Sequence, residues 1–155
     1  MKFSTKEDIE APIDAVFDML CDFETFERAA MRRGAEVQRT DTKTFAGIGM
    51  SWRATFNLRG KRRQVEVEMV TFDKPNEMVF ECRSPGLMTM MTTELVALSK
   101  NRTRIMLSFD IKPLNLSARL LVQSLKLAKT SLTKKFKLRA AEFAKTLEER
   151  YQRGA

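Results

Sequence analysis

The sequence predicts an α+β fold: a curved, seven-stranded antiparallel sheet with two short helices after its first strand and one long C-terminal helix across it. Three observations lead there. Apolar and polar residues alternate with a period of two for roughly seventy residues beyond Gly34, as in half-buried strands. From Leu116 to Tyr151 apolar residues recur every three or four positions with no glycine or proline between them, as in one helix of about ten turns. A sheet with one oily face needs a cover, and only this terminal segment is long enough to supply it.

Lys2 to Glu10 alternates and stops at Ala11-Pro12, which defines a first strand. Proline suits a helix start, and from Pro12 to Arg33 the spacing turns helical. Ile13, Val16, Phe17 and Leu20 form one face; Phe23, Phe26 and Ala30 begin another after Asp22, and Gly34 ends the second helix. Strands are expected over 35–41, 47–58, 63–72, 77–84, 87–98 and 103–112. Met50, Trp52, Ala54, Phe56 and Leu58 alternate with polar neighbours, as do Val65, Val67 and Met69, then Met78, Phe80 and Cys82 beyond the turn Asp73-Lys74-Pro75-Asn76. If Ile105, Leu107, Phe109 and Ile111 face inward, the loop Lys100-Asn101-Arg102 puts Leu95 and Ala97 on the same face and Glu94 outside. Both parities are apolar over Leu87-Met88-Thr89-Met90-Met91, so each side needs a cover: a dimer contact, a lipid surface or a folded-over loop. Asn115 is the expected N-cap of the terminal helix, whose stripe is Leu121, Leu125, Ala128, Leu132, Phe136, Ala140, Phe143 and Leu147.

The 155 residues, 43% of them hydrophobic, suit a single domain over 1–155. No stretch has the apolar length of a spanning helix, and Met1 to Glu10 is too polar for a signal-peptide core, so a cytoplasmic location is expected. Cys21 and Cys82 lack the spacing of a disulfide framework or zinc site and read as reduced, packed thiols; the sequons at Asn101 and Asn115 are then coincidental. The net charge of +8 attracts anionic partners. Histidine is absent, which removes the usual neutral-pH general base and the commonest metal ligand. Neither a metal nor another cofactor is expected.

Three segments carry a family resemblance. Ile9-Glu10-Ala11-Pro12-Ile13-Asp14-Ala15-Val16-Phe17 resembles the passage from first strand to first helix in the START-related (SRPBCC, helix-grip) superfamily. Thr71-Phe72-Asp73-Lys74-Pro75-Asn76-Glu77-Met78-Val79-Phe80-Glu81 is similar to its proline hairpin, and Asn101-Arg102-Thr103-Arg104-Ile105 to the turn before its last strand. The superfamily includes birch-pollen-allergen-like proteins, lipid-transfer domains and polyketide cyclase/dehydratase-like proteins. The resemblance spans the chain and implies a helix-grip fold whose terminal helix lies over an apolar cavity. It also implies a small hydrophobic ligand there: a lipid, a polyketide or an aromatic compound.

Trp52, Phe56, Met69, Phe80, Leu107 and Phe109 are the expected cavity lining on the sheet, with Leu121, Leu125 and Leu132 facing them from the helix. Ordinary core packing fits the same residues. Seven of the ten methionines lie between Met50 and Met106, where flexible thioethers suit either an adaptable pocket or a core. Lys126, Lys129, Lys134 and Lys137, with Arg59-Gly60-Lys61-Arg62-Arg63 in a hairpin, form a basic face that suits an anionic membrane or plain solvent. Nucleic acid is disfavoured, because stacking aromatics are not interleaved with these charges. Gly47-Ile48-Gly49-Met50 lacks the third glycine of a dinucleotide site, and no nucleophile elbow or phosphate loop occurs. No residue is nominated as catalytic. Carriage of a hydrophobic ligand is therefore the first expectation, a cyclase or dehydratase acting in the same cavity the second, and a basic interaction surface the third.

Overall fold

The computed structural model describes residues 1–154. Its elements are β1 (Lys2–Ile9), α1 (Ile13–Leu20), α2 (Phe23–Arg32), β2 (Glu36–Arg39), β3 (Ser51–Leu58), β4 (Lys61–Asp73), β5 (Glu77–Ser84), β6 (Leu87–Ser99), β7 (Arg102–Pro113), α3 (Leu116–Leu127) and α4 (Lys129–Gln152). The strands form one antiparallel sheet in the order β1-β7-β6-β5-β4-β3-β2. This is the expected α+β architecture, a meander whose last strand is flanked by its first.

The alternation sets the register as expected. Leu95 pairs with Ile105 and Thr93 with Leu107, so one face of β6 and β7 carries the core while Glu94 stays exposed. The β6–β7 turn is one residue tighter than expected, because Arg102 already pairs with Ser99. Register shifts after Ala97 and after Met69 give bulges, which add twist to the long strands. The β3–β4 hairpin turns on Arg59 and Gly60, both at positive φ (52° and 76°), as the tight primed turns of twisted ribbons require.

The terminal stripe differs from expectation in one respect. It is two helices, broken at Ala128, whose φ of −101° and ψ of 13° leave the helical range. Nothing in the side-chain pattern marks this break, since alanine favours helix and Ala128 keeps the apolar spacing. Asn115 is the N-cap of α3, its Oδ1 accepting from the Ala118 amide at 2.9 Å. Gly86 makes room for that cap: it has φ of 78°, and a Cβ there would stand 2.7 Å from the Asn115 side chain.

The α4 helix runs along β1. Its far end is tied down where Glu148 Oε1 accepts from the Glu10 amide at 2.7 Å, and where Arg150 donates to Asp22 Oδ2 at 2.8 Å. Asp22 also accepts from the Thr25 hydroxyl at 2.7 Å, so one carboxylate joins the α1–α2 corner to α4. The solid core lies beneath this clamp: Ile9, Ala11, Val16, Phe17, Met69 and Ile105 are at most 1% exposed. Thr103, equally buried, donates its hydroxyl to the Ala11 carbonyl at 2.8 Å, which satisfies both groups. Both cysteines are free, and burial pushes the Cys82 thiol up to about 11. No described helix is long and apolar enough to cross a membrane.

Candidate functional site

Inward side chains on a strand recur about every 7 Å, and one such step takes the sheet from solid core to empty space. At β3 the step is from Met50, just before the strand, to Trp52 and Ala54, on β4 from Met69 to Val67, on β6 from Leu95 to Thr93, and on β7 from Ile105 to Leu107. Beyond it lies a cavity of about 590 Å³, partly open to solvent, within the range of small-molecule sites. Leu20 of α1, Phe23 and Phe26 of α2, and Phe136, Ala140 and Phe143 of α4 close it from the helical side. The wall is almost wholly apolar.

Aromatic rings hold this space open by bracing one another. Phe23 packs against Trp52 and Phe80 with centroids 5.4 and 6.4 Å away, and Trp52 and Phe80 are 6.0 Å apart. Phe26 meets Phe143 at 5.8 Å, bridging α2 to α4, and Phe136 meets Phe109 at 5.4 Å. Rigid rings propped against one another at tilted and edge-on angles resist collapse, whereas flexible aliphatic chains would fill the gap.

Three polar side chains reach the wall: Glu27, Thr93 and Arg139. Glu27 accepts from Trp52 Nε1 at 3.1 Å, which fixes the indole. The Arg39 guanidinium lies 5.5 Å from the Trp52 ring centroid and is itself held by Asp41 through two 2.7 Å hydrogen bonds. That paired guanidinium, aided by the Ser51 and Lys43 amides, holds the Asp41 carboxyl well below the usual carboxylate range. Thr93 is 7% exposed and makes no side-chain hydrogen bond among the described residues; its hydroxyl is not sealed off, since Arg63 Nε alone of the described side-chain polar atoms is both fully buried and unpartnered. Arg139 is exposed and makes no ion pair among them, so it is free at the edge of the wall. No group of three or more acidic, Cys or His side chains capable of holding a metal ion occurs among the described residues.

Of the residues nominated from sequence, Trp52, Phe80, Leu107 and Phe109 lie together in the wall. Met69 is fully buried one step deeper, in the solid core. Phe56 is half-buried one step beyond the far side of the wall. Leu121, Leu125 and Leu132 also stand outside it; the break at Ala128 assigns the first two to α3, which packs on β7, and leaves the cavity to the middle of α4. Sequence reasoning did not nominate the α2 residues Phe23, Phe26 and Ala30, although their helical spacing was a usable signal. For Glu27 and Thr93 no local signal existed.

No protein-family profile matches the chain, and no curated protein sequence does. Solved structures do. A protein of Thermus thermophilus superposes with a TM-score of 0.67 at 17% identity, covering 100% of this chain and 99% of the other. Norcoclaurine synthase from Thalictrum flavum, solved with dopamine and hydroxybenzaldehyde, gives 0.66 at 12% identity over 100% and 88%. The Zhui aromatase/cyclase from Streptomyces sp. R1128 gives 0.61 at 14% identity over 86% and 88%. At these identities the likeness establishes the fold.

Proposed function

From the START-like helix-grip fold that this chain carries, we propose that the protein binds a small, largely aromatic or apolar molecule bearing a hydrogen-bonding group, in the cavity between sheet and α4. One observation carries the reading: braced aromatic rings line a cavity of about 590 Å³, partly open to solvent, directly beside a core of fully buried side chains. The apolar wall supplies affinity, and the unpartnered Thr93 hydroxyl supplies orientation, because a ligand oxygen or nitrogen there satisfies a group the fold leaves unpaired. One structural neighbour is named an aromatase/cyclase and another was solved with dopamine and hydroxybenzaldehyde, which agrees with a ligand of that kind.

Displacement of an apolar fluorescent probe by small phenols and aromatic aldehydes tests this, with native mass spectrometry of the purified protein as the independent readout. Binding is expected in the wild type and should be lost in Ala54→Phe, which projects a ring from β3 into the cavity, with thermal stability retained. A wild type that binds no probe and carries no small molecule rejects the reading.

A second reading, an enzyme in the same cavity, rests on Glu27, the one carboxylate in the wall. Glu27→Gln keeps an acceptor for the Trp52 indole and removes the base. Under this reading it abolishes turnover of a bound aromatic substrate while leaving its affinity within about threefold.

A further inference from the structure

The charge of this protein is not spread over it. The stretch 111–141 carries eight Lys and Arg and not one Asp or Glu, and the other 20 basic residues are matched by the chain's 20 acidic ones. The whole net charge of +8 therefore resides in the end of β7, in α3 and in the first half of α4.

Within that stretch α3 is apolar on two opposite faces. Ala118 and Val122 are buried, with Leu121 and Leu125 half-buried beside them, and they face the protein. Leu116, Leu120 and Leu127 fall within about 40° of one another on the helical wheel, on the other side. They are 73%, 61% and 92% exposed, and Leu114 just before the helix is 65% exposed. Arg119 and Lys126 flank this stripe on one edge. On the other, Arg59 from the tip of the β3–β4 hairpin donates to Ser124 of α3 at 3.3 Å, which brings exposed Leu58 and Lys61 alongside.

We propose that this leucine stripe with its basic flanks docks the protein on an anionic lipid bilayer, α3 lying in the interfacial plane. A leucine row in water needs a cover. Charge selects the kind: a second copy of the same face would set the stretch that holds all the excess positive charge against itself, whereas a bilayer of negative headgroups complements it and takes the leucines into its acyl boundary. The α3 helix makes no part of the cavity wall, so this surface stands independently of the ligand proposed above.

The test is co-sedimentation of the full chain with phosphatidylcholine vesicles, with and without phosphatidylserine. Binding is expected to phosphatidylserine vesicles, to weaken steeply with added salt, and to be at least about tenfold weaker on phosphatidylcholine alone. Leu116→Ser/Leu120→Ser/Leu127→Ser should weaken it by at least about tenfold, as should Arg119→Glu/Lys126→Glu, each with an unchanged melting temperature, since these positions are exposed. Three results overturn the proposal: no binding by the wild type, undiminished binding by the leucine variant, or a wild-type dimer in light scattering that the leucine variant dissolves.

Discussion

The inner face of the sheet is solid at one end and hollow at the other, although the same strands build both. Toward the α1 end, Val16, Phe17 and Ile105 interdigitate and Phe17 meets Phe72 edge-on at 5.4 Å. Toward the middle of α4, rings paired just as closely, Phe109 with Phe136 at 5.4 Å, border open volume instead of filling it. Burial of apolar residues does not separate the two regions, since Trp52 and Phe80, at 7% and 8% exposed, are nearly as buried as the core. The difference is which neighbours they brace against, so core and site call for different responses to the same kind of substitution.

The largest contrast concerns removed rings. Phe17→Ala opens a void in packed surroundings and is expected to cost about 3–5 kcal/mol, read as a fall in the denaturant midpoint. Phe23→Ala enlarges a space that already exists and should cost no more than about 2 kcal/mol. Equal losses would mean that the hollow end is packed in solution. Added volume should behave in the opposite way. Ala11→Leu, at a fully buried site, should destabilise by about 1–3 kcal/mol, whereas Ala30→Leu on the cavity wall should stay within about 0.5 kcal/mol of the wild type and reduce probe binding.

Two buried threonines sharpen the contrast. Thr103→Val strands the Ala11 carbonyl and should cost about 1–3 kcal/mol. Thr93→Val removes a hydroxyl with no partner and should leave the melting temperature unchanged, while affinity for a phenolic ligand falls about tenfold relative to its deoxy analogue. A large stability loss at Thr93 would assign that hydroxyl to the fold instead of to a ligand.

The smallest effect is in acid. Asp22, below the solid end, is held below the ordinary carboxylate range by the Thr25 hydroxyl and Arg150; Asp41, beside Trp52, is lowered by Arg39. A carboxylate with a depressed folded-state value contributes its full stabilisation above the ordinary range and loses it as pH falls through the depressed value. Stability should therefore decline below about pH 4. Asp22→Asn should flatten that decline because the titrating carboxyl is gone, whereas Asp41→Asn should flatten it and also release Arg39 from its place over the indole. Melting curves from pH 2 to pH 6, on the order of the titration range of carboxylates, read both.

The fold was legible because it rests on periodicity, which survives in a single sequence. Alternation placed all seven strands, and Asn115 announced its helix. The cavity wall was legible only on the sheet. Trp52, Phe80, Leu107 and Phe109 follow from parity, but parity does not say how far along a strand the cover stops filling the space. That limit depends on Ala128, where the helix is interrupted without a breaker residue, and on the placing of α2 by the Asp22 corner. Contacts 25 residues apart in sequence, such as Glu27 with Trp52, leave no mark in either segment.

The frontier between filled and unfilled interior is one row of side chains wide, running from Met50 through Met69 to Leu95 and Ile105. Descendants of this chain can therefore lengthen or shorten the chamber one residue at a time, by trimming or thickening that row, while every strand pairing stays as it is. Preference for a larger or smaller guest can drift through single substitutions, with no insertion, deletion or change of topology along the way.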